Sequence, residues 1–91
     1  MSQTEWMAEI RVVLKPSVND PEGLSIRGGL HALGFDQVQS VRAGKLIQVR
    51  LTAADRAEAE SAVDRMCAQL LANPVIEQYT FSLEPAPAPV A

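Results

Sequence analysis

With 91 residues the chain makes one domain, enough for a single modest core and too little for a core plus an enclosed cavity of drug size. Its 47% hydrophobic content is mostly aliphatic, aromatics being only 4%, so neither a base-stacking platform nor an aromatic ligand cage is easily built. A net charge of −3 with eight scattered Lys and Arg makes no basic patch, which argues against nucleic acid as a partner.

Residues 1–7 read as a polar, loosely held arm with one exposed aromatic, Trp6. No apolar run approaches the ~18 residues of a membrane span, and the N-terminus lacks the basic, apolar and small-residue blocks of a secretory signal. The expectation is a cytoplasmic protein whose folded unit is residues 8–84. In "AEIRVVLK", Ile10, Val12 and Leu14 alternate with Glu9, Arg11 and Lys15, the period of a strand with one buried face.

"NDPEGLSIRGGLHALGF" follows, with Asp20 as N-cap, Pro21 at the first helical position, and Gly34 as a left-handed stop before apolar Phe35. Ile26, Leu30 and Leu33 form one apolar stripe. Gly28 and Gly29 each weaken this helix by about 1 kcal/mol relative to Ala, so packing must hold it.

"QVQSVRAGKLIQVRL" reads as two β-rich segments around Ala43 and Gly44, a hairpin or a strongly bent strand pair. Ile47, Val49 and Leu51 share one face of the second segment. Val38 and Val41, three apart, fit one face of the first only with a bulge, so that segment reads as a short edge strand. In "TAADRAEAESAVDRMCAQLLAN", Ala59, Val63, Met66 and Leu70 recur at helical spacing, with Thr52 in the cap region. Cys67, the one cysteine, falls among the periodic positions and reads as a small buried hydrophobe.

Asn73, which tolerates left-handed backbone, and Pro74 stop that helix and turn it tightly into a last strand, "VIEQYTFSLE". There Val75, Tyr79, Phe81 and Leu83 face the helix stripe. Residues 85–91 alternate Pro and Ala, an extended tail unable to order itself. The order βαββαβ predicts a ferredoxin-like α+β sandwich, with two helices on one face of a four-stranded antiparallel sheet.

Catalytic chemistry has little to stand on. His31 has no metal-ligand companion at usable spacing, and "RGGLHALG" sits in a helix rather than between strand and helix, where a phosphate loop belongs. Asp55, Glu58, Glu60 and Asp64 interleave with Arg56 and Arg65 as a solvated helix face. More suggestive is the open side of the sheet, where Val13, Leu46 and Ile76 project among Arg11, Gln48, Arg50, Gln78 and Thr80, and where a second copy would dock. Arg42 and Lys45 flank Gly44 at the expected hairpin tip, a place that another protein can approach closely.

"DPEG", "LHALGF", "VRAGK", "MCAQ" and "LLANPVIEQYTF", in this order through residues 8–84, resemble the PurS family, small subunits of phosphoribosylformylglycinamidine (FGAM) synthase. The resemblance implies a subunit with no catalytic residues of its own in a ligase of purine biosynthesis. It would act as a homodimer or tetramer bridging the PurQ glutaminase and the PurL synthetase, helping ammonia pass between them. No cofactor is then expected in this chain; ATP, Mg and glutamine are used by the partner subunits. Lys15, Asp20, Arg42, Gly44, Lys45 and Asn73, at strand ends and turns, are the expected partner contacts.

The fold hosts many functions. A small-molecule regulatory domain of the amino-acid-sensing type is the main alternative. An acylphosphatase-like hydrolase is opposed by the two prolines of "KPSVNDPEG", where a phosphate cradle is needed, and an RNA-binding domain by charge and the lack of sheet aromatics.

Overall fold

Alternation along residues 4–14 produces the middle strand of the sheet. The computed structural model describes residues 3–86, and in it the chain runs β1 (Thr4–Leu14), α1 (Pro21–Ala32), β2 (Gly44–Ala53), α2 (Arg56–Met66), a π-helical turn (Cys67–Leu71) and β3 (Glu77–Pro85). The strand order is β2-β1-β3, both neighbours antiparallel to β1. β2 and β3 are therefore parallel to one another with β1 between them, and α2 is the crossover that joins them. Trp6, Ala8, Ile10 and Val12 all face α2 and are buried, opposite Ile47, Val49 and Leu51 of β2 and Tyr79, Phe81 and Leu83 of β3. Ala59, Val63 and Cys67 close the core from above; Cys67 is a free, fully buried thiol.

The fourth strand is not there: among the described residues the sheet has three. Residues 37–41 belong to no strand, and Ala43 and Gly44 do not form a hairpin tip. The Ala43 N–H is taken by the Asp20 carboxylate at 2.7 Å, and Arg42 donates to the Lys15 and Val18 carbonyls. These bonds draw the segment against the loop after β1 and away from the edge of β2.

Nor does α1 lie on the sheet beside α2. Its ends form as the caps dictate: the Asp20 side chain accepts from Gly23 N–H, and Gly34 adopts φ +96 while Phe35 N–H returns to the Leu30 carbonyl. Of its residues only Gly23 is buried. Leu24, Ile26, Leu33 (75% exposed) and Phe35 face solvent. The radius of gyration is 17.2 Å, where a compact chain of this length has about 12 Å.

Five smaller differences follow from pairing and turn geometry. β1 begins at Thr4, so the expected loose arm is already sheet from there on; Trp6 pairs with Leu51 and Pro85, is 8% exposed, and lies 5.2 Å under the Arg56 guanidinium. Thr52 is in β2, and the α2 cap is Asp55, whose side chain accepts from Glu58 N–H at 2.8 Å. The π turn adds a residue before the helix closes, with Ala72 N–H bonding the Cys67 carbonyl, so Leu71 turns to the core and Leu70 is left 83% exposed. Asn73 has no left-handed backbone; it follows the C-cap Ala72, and its side chain accepts from Val75 N–H at 3.0 Å to shape the turn, so that β3 starts only at Glu77 and Val75 stays in the turn. Of the Pro-Ala tail, Pro85 closes β3 and Ala86 N–H donates to the Glu5 carbonyl; residues 87–91 lie outside the described residues.

Candidate functional site

The expected partner-contact residues come from four segments and meet at one end of the sheet. Asp20, 4% exposed, accepts from Gly23 N–H at 3.0 Å with one oxygen and from Ala43 N–H at 2.7 Å with the other. Those bonds hold its carboxyl below the ordinary 3.8, Gly23 contributing most and Ala43 next, against an opposing pull from burial. Arg42 bridges the Lys15 carbonyl at 2.9 Å and the Val18 carbonyl at 2.8 Å. Lys15 N–H in turn donates to the Ile76 carbonyl, which brings the turn begun by Asn73 to the same place. Gly44 is required by sterics: a Cβ there would stand 2.5 Å from the Val12 carbonyl oxygen. Beside it a shallow cleft of about 270 Å³ is lined by Asp20, Glu22, Gly44, Lys45 and Glu77.

This end is a braced junction with exposed cationic side chains, Arg42 and Lys45, on a backbone that cannot shift easily. Rigid, charged and unreactive, it suits recognition by another protein. The residues with chemical potential are engaged elsewhere. Burial, and then Asp64, push the Cys67 thiol up. The Tyr79 hydroxyl donates to Asp64 at 2.8 Å, and that bond, with burial, pushes the hydroxyl's pKa up so that it holds its proton more firmly. His31 Nε2 sits 2.8 Å from the Val38 carbonyl. Among the described residues no three His, Cys, Asp or Glu side chains gather as a metal site would need.

The outer face of the sheet is more polar than expected. Glu5 pairs with Arg50 at 3.0 Å, Glu9 with Arg11 at 3.7 Å, and Gln48 donates to Glu9 at 3.4 Å. Val13 and Leu46 do share this face, towards the braced end, and Leu46 is 57% exposed. Ile76 does not: it precedes β3, in the turn at that same end. Two features escaped the sequence reading. Gly23, within "DPEG", is a packing point because a Cβ there would overlap the Val41 carbonyl; the only prior signal was a glycine in the first turn of a capped helix. The apolar stripe of α1 was legible, but its lack of cover within the chain was not.

The sequence profile described as PurS, phosphoribosylformylglycinamidine (FGAM) synthase, matches residues 7–85, most of the chain. The chain belongs to the PurS family. Among PurS relatives, the Synechocystis sp. FGAM synthase subunit is 51% identical over 78 residues, 86% of this chain and 78% of that protein. The purS subunit from Thermotoga maritima superposes with a TM-score of 0.84 at 28% identity, covering 92% of this chain and 97% of that one. A chain in the structure of PurLQS from the same organism gives 0.81 at 30% identity, over 88% and 98%. PurS membership makes this chain a subunit of FGAM synthase in purine biosynthesis, and the small-molecule regulatory reading is not favoured.

Proposed function

We propose that this PurS chain works as a scaffold: it joins the PurQ glutaminase to the PurL synthetase, contributes no reacting group, and does so as a homodimer in the cytoplasm. The observation that carries the reading is the likeness to a chain of the Thermotoga maritima PurLQS assembly over nearly the whole folded unit. The braced end supports it, offering Lys15, Arg42, Lys45 and Asn73 around the rigid Asp20 and Gly44 backbone as the docking point. Val13 and Leu46, with Ile76 at the same end, are a further contact between copies or with a larger subunit.

ATP, Mg and glutamine belong to the partner subunits in this account. Ammonia released from glutamine is lost to protonation and diffusion unless donor and acceptor sites are held together, so a rigid adaptor raises yield without touching a bond. The test is to mix the purified subunits with Arg42→Glu and Lys45→Glu variants. Assembly and glutamine-dependent turnover should fall together, while turnover supplied with free ammonia persists. Unchanged assembly and turnover remove both residues from the interface.

A further inference from the structure

We propose that the cleft between the first turns of α1 and residues 39–42 is a binding site for one oxyanion group, phosphate or carboxylate, carried by a small molecule. The site goes beyond the scaffold reading and is tested separately from it.

Arg27 singles the cleft out. Its side chain is half-buried, its Nε is fully enclosed, and among the described residues nothing accepts a hydrogen bond from that Nε. Other arginines draw their acceptors from within the chain: Arg11 pairs with Glu9, Arg50 with Glu5 and Arg56 with Glu60, while Arg65 donates to the Ser61 carbonyl. Arg27 has no carboxylate of this kind among the described residues. A buried donor on a charged group is costly to leave without an acceptor, so this one calls for a partner from outside the chain.

Arg42 brings a second cation to the same cleft, whose volume is about 160 Å³. Only its Nη2 is engaged, on the Lys15 carbonyl at 2.9 Å and the Val18 carbonyl at 2.8 Å. Those two bonds fix the fork in place and leave its other donors for a ligand, so little ordering is needed on binding. The carboxylate that lines the cleft, Asp20, already accepts from Gly23 N–H with one oxygen and from Ala43 N–H with the other. Two guanidiniums against one carboxylate leave the lining with a net charge of +1. Asn19, Gln39 and Ser40 add neutral donors beside them.

The chemistry of the lining names the ligand class. A guanidinium has donors and no acceptor, and its planar fork matches two oxygens of a phosphate or a carboxylate. A metal ion is opposed by the two fixed cations. At about 30 Å³ per water the cleft has room for about five waters, enough for one oxyanion group and too little for the body of a nucleotide. The remainder of the ligand lies outside. On binding, the Arg27 fork turns to bring its Nε–H onto one ligand oxygen while Arg42 holds another.

The experiment titrates the full-length chain with inorganic phosphate and, separately, with acetate at constant ionic strength, following the arginine Nε–H signals in proton–nitrogen correlation spectra. The signal that Arg27→Gln removes should shift and saturate with at least one probe, at a Kd of about 1 mM or tighter. The tighter probe tells phosphate from carboxylate. By calorimetry, Arg27→Gln should weaken binding about 10-fold or more, Arg27→Lys less, because it keeps the charge and loses the fork. Arg65→Gln on α2 should leave the affinity unchanged. Far-UV dichroism checks the fold of each variant, and Arg27→Lys stands in where Arg27→Gln does not fold. A signal that stays still, a shift that climbs without saturating, or equal affinity with and without Arg27 overturns the site and leaves the scaffold reading untouched.

Discussion

α1 and α2 invert the usual relation between apolar content and burial. α2 is the more polar helix, yet its small stripe of Ala59 and Val63, continued by Cys67, is fully buried against β1. α1 carries larger side chains and leaves Leu24, Ile26 and, at its C-cap, Leu33 in solvent, with Leu30 only partly buried. Fully burying one such side chain is favourable by about 1.5–3 kcal/mol, so a face of this size left open marks a surface used between molecules rather than within one. Periodicity reports that a face is apolar; it does not report whose surface covers it.

The contrast can be broken by mutation. Ile10→Ala, in the fully buried core under α2, should destabilise the chain by about 3 kcal/mol at any protein concentration in chemical denaturation. Leu33→Ala should leave the isolated fold intact and lower the melting temperature only through dimerisation, an effect that changes with protein concentration. Equal, concentration-independent losses for the two would erase the distinction. Gly44→Val should cost about 1–3 kcal/mol, because its Cβ would meet the Val12 carbonyl oxygen at 2.5 Å and Val13 Cγ1 at 2.6 Å. Asp55→Ala, removing the α2 cap, should cost about 1 kcal/mol by thermal melting.

The pH effect of the Asp20 brace falls in acid. The folded Asp20 carboxyl titrates below its ordinary 3.8, so its contribution is present above that value and is lost as pH falls through the lower folded one. Stability profiles of the wild type and Asp20→Asn should therefore run parallel from pH 5 to 8 and converge below about pH 3.8. Profiles that stay parallel into acid would show that the carboxylate does not brace the junction. Least of all, Glu5→Gln on the exposed outer face should change stability by no more than about 1 kcal/mol, despite its 3.0 Å pairing with Arg50.

Local chemistry was readable along the chain, and long-range placement was not. Asp20, Pro21 and Gly34 set both ends of α1 because caps act within a few residues, and the alternation of Ile10, Val12 and Leu14 marked β1 because a strand with one buried face shows its period directly. Residues 37–41 have strand composition but no strand beside them: the side chains that hold this segment, Asp20 and Arg42, bond to backbone more than 20 residues away, which no window of sequence displays. The π turn moved Leu70 out and Leu71 in through one added residue, a shift invisible to a fixed helical period. The candidate contact residues lie at strand ends and turns, a position the local sequence shows, whereas their convergence depends on the antiparallel register of β1 with both neighbours. The β-like run that begins at Val75 suggests a place in the sheet for Ile76, whereas the side chain and carbonyl of Asn73 keep the next residues in a turn until Glu77.

The most direct measurement is FGAM formation by purified PurL and PurQ with ATP and Mg, with and without this chain, supplying either glutamine or free ammonia. The scaffold account predicts that glutamine-driven turnover depends on the chain while ammonia-driven turnover does not. A glutamine-driven rate that is the same without it, or turnover of any substrate by the chain alone, contradicts the account.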